Sequence, residues 1–105
     1  MNEFLQWCDD RMSACQQRKQ ELLRDQRGDE AKFEQIRANV YGIYRAVYAA
    51  LSNQPEALMK KLHAIPAAWE VSLRLAEEHG DTEKAHIERI KLATSAEIMQ
   101  EVPHD

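Results

Sequence analysis

Glycine and proline are scarce in this chain, three of each among 105 residues. With 44% hydrophobic and 30% charged residues, that scarcity excludes a disordered polymer except at the ends and points to helices. Cysteine is scarcer still. Cys8 and Cys15 lie seven apart, which on one helix separates their backbones by about 10 Å, beyond disulfide reach. Both fall on an apolar stripe and read as buried, reduced thiols. No apolar run approaches the roughly 18 residues of a membrane span. Basic charge is not in excess either: the net charge is −4 and basic residues are interleaved with acidic ones, which excludes a concentrated field for a phosphate backbone and hence nucleic acid as a partner. The opening Met1-Asn2-Glu3-Phe4 lacks the basic, apolar, small-residue order of a secretion signal, so a cytoplasmic location is expected.

What is present is helical periodicity. Leu5, Cys8, Met12, Cys15 and Leu22 fall at alternating spacings of three and four with Lys19 interrupting, which predicts one amphipathic helix over about 2–26. Gly28 is the expected break and Asp29 the expected N-cap of a second helix, about 29–53, carrying Phe33, Ile36, Val40, Ile43, Val47 and Leu51. The connection is short enough to force an antiparallel hairpin. Between Val40 and Leu51 the only charge is Arg45, and Gly42, Ala46 and Ala49 form a small-residue strip away from the large side chains. This reads as a central helix or a subunit contact.

Pro55 suits a first helical turn, and Pro66 disfavours helical geometry at Ile65, so either a break between two helices, about 55–64 and 66–79, or one kinked helix is expected, the break being favoured. Gly80 is the expected C′ residue, and Asp81 or Thr82 the cap of a last helix running to about Glu101. The fourth helix shows Trp69, Leu73 and Ala76 on one side and Ala68, Val71 and Leu75 on another. The fifth shows Ile87, Ile90, Thr94 and Ile98 against Ala85, Leu92, Ala96 and Met99. Three helices with two apolar sides are more than a monomeric bundle of this length covers, which predicts a homodimer. The bland account is that alanine-rich second sides are ordinary high-propensity surface.

Few residues carry candidate chemistry. Tyr41, Tyr44 and Tyr48 form a stripe suited to anchoring a partner or lining a pocket, and Trp7 sits off its helix's main stripe as a further contact candidate. Glu83 and His86 have the Glu-x-x-His spacing of helical di-iron sites, but no second copy exists to complete one, and Glu83 suits a first turn for dipole reasons alone. His63, His79 and His104 lack the spacings of a zinc site. No phosphate-binding glycine loop and no Gly-x-Ser-x-Gly elbow occurs.

Residues 69–92, from Trp69 through Gly80-Asp81 to Ala85, resemble one helical hairpin of a tetratricopeptide repeat. Ser72, Leu73 and Arg89 depart from that family's packing code, and the first 65 residues hold no second copy, so no binding residues are carried across. The expectation is an all-α bundle of four to five helices in a single domain spanning 1–105, with a flexible tail at about 102–105. A long antiparallel hairpin is followed by a short helix and a second hairpin. The leading functional expectation is a non-enzymatic interaction or regulatory module, homodimeric and without a cofactor. The alternative is a metal- or small-molecule-binding protein, enzymatic or not, with a pocket at the tyrosines, Glu83 and His86.

Overall fold

The computed structural model describes residues 2–103, five α-helices and no strand among them. Helix α1, Glu3–Arg24, starts where the Asn2 side-chain oxygen accepts from the amides of Phe4 (2.9 Å) and Leu5 (3.3 Å), satisfying two of the N–H groups that a helix start leaves unpaired. Its end departs from expectation. The left-handed residue is Gln26 (φ 60°), not Gly28. The Gln26 amide donates to the Leu23 carbonyl (3.1 Å) and the Arg27 amide to the Leu22 carbonyl (2.8 Å), the paired closure of a Schellman turn. Leu22, the last buried residue of α1, accepts the closing bond, and Gln26 holds the left-handed position although it is not glycine.

Helix α2, Gly28–Leu51, therefore begins one residue before the expected cap. Arg27 is its N-cap without a side-chain bond, and Asp29 lies in the first turn, where it faces the positive end of the helix dipole. Helix α3, Pro55–Ala64, has proline in its first turn as expected. Ile65 is helical (φ −54°, ψ −47°) despite the following Pro66, against the usual steric preference. Packing of Ile65 and Trp69 on the core holds this corner. The ladder is still interrupted there because Pro66 has no N–H, and α4 runs Ala67–Glu78. The count is five helices, or four with α3 and α4 taken as one bent rod.

Gly80 (φ 69°) closes α4 as C′, its amide on Glu77 (3.2 Å) and that of Asp81 on Ala76 (2.8 Å). The Asp81 carboxylate caps α5, Thr82–Glu101, by accepting from the Lys84 amide (3.0 Å). Ala76 and Ala85 are buried on either side of this turn, so the hairpin with the tetratricopeptide-like pattern closes on small residues. Val102, in the segment expected as tail, is buried and donates to Ile98 (3.2 Å). His104 and Asp105 lie outside the described residues.

Helix α2 is the central element. It packs along α1 on one flank, against α5 on the other and against α3 near its end, while α4 packs on α5. The core joins Phe4, Cys8 and Cys15 of α1, Val40 and the tyrosines of α2, Leu58 and Leu62 of α3, and Ile98. The assembly is a slab of 42 × 35 × 18 Å with a radius of gyration of 15.0 Å, against about 13 Å for a compact chain of this length. Its broad faces are thus large for the mass enclosed. Among the described residues no helix is long and apolar enough to cross a membrane.

Candidate contact surface

Helix α2 presents two sides, and the tyrosines lie on the inner one. Tyr41, Tyr44 and Tyr48 are 3%, 0% and 9% exposed. Each hydroxyl has a partner within the chain: Tyr41 donates to Glu97, Tyr44 shares a bond with Ser95, and Tyr48 accepts from the Asn2 amide at 3.1 Å. The stripe continues the arc of Val40 and Leu51 instead of lying beside it. Tyr41, Tyr44 and Tyr48 therefore anchor α5 and α1, and have no surface left for a partner chain or a pocket. Burial raises the phenol of Tyr41 to about 12, helped by its bond to the Glu97 carboxylate, and burial also raises Tyr44.

Trp7 is half-buried, edge-on to Tyr41 with centroids 5.6 Å apart and stacked on Phe4 at 6.1 Å. The Arg11 guanidinium lies 5.7 Å over its ring. Trp7 is accordingly occupied within the chain on more than one side.

Glu83 and His86 are both exposed, and each meets a different residue of α2. Glu83 lies 3.8 Å from Lys32 Nζ, and the His86 ring stands edge-on to Phe33 at 4.7 Å. Among the described residues no three His, Cys, Asp or Glu side chains gather in a metal-binding group. Cys8 and Cys15 are free and buried. Burial pushes both thiols up to about 11, with nearby Glu34 adding to the shift at Cys15, so they are protonated and poorly nucleophilic at neutral pH.

The outer side of α2 carries the open surface. Gln35, Asn39, Gly42, Ile43, Ala46, Ala49 and Ala50 are exposed or half-exposed, and none is charged. The nearby Arg45 turns to the α1 edge, where Nε meets Asp9 Oδ1 at 2.5 Å and Nη2 meets Oδ2 at 3.2 Å. Ile43 is 42% exposed and borders two grooves. One, of about 750 Å³, runs between α1 and α2 past Met12, Ser13, Gln16 and Gly42. The other, of about 390 Å³, lies between α2 and the α4–α5 hairpin, walled by Ile36, Trp69, Ile87 and Lys91.

Of the three helices read as two-sided, α5 is packed by both α2 and α4, with Ile90, Ile98 and Ala85 buried and Ala96 exposed. Helices α2 and α4 each leave large apolar side chains open. Ile43 stays open on α2, and Val71 (46%) and Leu75 (48%) stay open on α4. The strip at Gly42 and Ala46 is visible as periodicity, whereas Met12 of α1 and Ile87 of α5 join its borders only through tertiary packing. Compared with protein-family models, curated proteins and solved structures, the chain matches none.

Proposed function

We propose that this chain is a non-enzymatic helical interaction module that works as a homodimer, with the outer face of α2, rather than its tyrosines, as the contact. The observation that carries this reading is the uncharged outer face from Gln35 to Ala50, with Ile43 42% exposed between two grooves. An exposed face without charge is unusual in a chain with 30% charged residues, and depletion of charge marks the centre of protein contacts more reliably than bulk apolarity does. The flatness of the slab supports the same reading, because a second subunit would restore a more compact particle.

The alternative, a metal or small-molecule site, has less behind it. The tyrosine hydroxyls that were to line its pocket are committed to Glu97, Ser95 and Asn2, and Glu83 and His86 face different neighbours.

Sedimentation at micromolar concentration tests the proposal. A dimer is expected, converted to a folded monomer by Ile43→Arg. A wild-type protein that sediments as a monomer at tens of micromolar removes the reading.

A further inference from the structure

We draw no further inference here: the strongest candidate, the groove between α2 and the α4–α5 hairpin with Lys91 in its wall, carries nothing, because Lys91 is already paired with the buried Glu88 and nothing in the structure shows what covers the apolar remainder.

Discussion

The hydroxyl of Tyr41 on α2 donates to the carboxylate of Glu97 on α5, 56 positions further along the chain. The same carboxylate receives the Arg11 guanidinium of α1 at 2.6 Å. Three helices meet at this one carboxylate, and Tyr41, 3% exposed, is its buried arm. Arg11 and Glu97 themselves are about half-exposed, so the ion pair contributes little by itself. The buried phenol bond is the part that locks α5 to α2. Tyr41→Phe is expected to lower unfolding stability by about 1–2 kcal/mol, read from urea denaturation, while Arg11→Ala costs less. The reverse order would mean that the surface pair, not the phenol, fastens α5.

Alkali should unfold the protein through the same residues. Burial and the Glu97 carboxylate raise Tyr41 to about 12, and burial raises Tyr44 as well. Because the folded values exceed the ordinary value of about 10, the native state prefers the protonated phenols. Their contribution is whole below pH 10 and is lost as pH climbs towards 12. The thiols of Cys8 and Cys15, pushed up to about 11, act with the same sign. Helicity and phenolate absorbance, followed together, should stay native to about pH 10 and then change in one step. Tyrosines that all ionise near 10 with the helices intact would contradict the burial of this cluster.

Gln26 holds a left-handed backbone, φ 60°, at the Schellman closure of α1. A side chain there costs about 1–2 kcal/mol relative to the right-handed region, partly offset by the greater entropy that glycine loses on folding. Gln26→Gly should therefore raise stability by about 0.5–1 kcal/mol, seen as a higher urea midpoint with an unchanged slope. A loss of stability would show that the Gln26 side chain contributes more than its backbone strain takes away.

The same turn shows where sequence reading stops. Pro55, Gly80 and Asp81 were legible because each acts on neighbours a few residues away. Gln26 was not, because its residue type gives no sign of the left-handed backbone it holds. Ile65 went astray likewise, held helical before proline by its packing on the core. The tyrosine stripe was correct as periodicity and wrong in direction. Whether that arc faces inward is decided by Asn2, Ser95 and Glu97, which lie 46, 51 and 56 positions away. The row at Gly42 and Ala46 stood out through its spacing, but the groove walls at Met12, Ile36 and Ile87 come from three different helices.

Glu88 gave no signal in the sequence, yet it is only 2% exposed and its Oε2 accepts no hydrogen bond. Among the described residues its cation is Lys91, whose Nζ lies 3.2 Å from Oε2 and donates to Oε1 at 3.4 Å. The two ends of this pair are unequal. Lys91 is 29% exposed and can extend its ammonium into water if released, whereas Glu88 cannot leave. Removing the acid should therefore cost little, and removing the base should strand a buried charge. Glu88→Met is expected to be neutral or stabilising, and Lys91→Ala to cost about 1–3 kcal/mol. Urea denaturation of the two variants and of the double variant checks the order, with Lys91→Ala harmless once Glu88 is already Met. If Glu88→Met instead proves the more damaging of the two, the carboxylate makes an attraction stronger than its pairing with Lys91 accounts for.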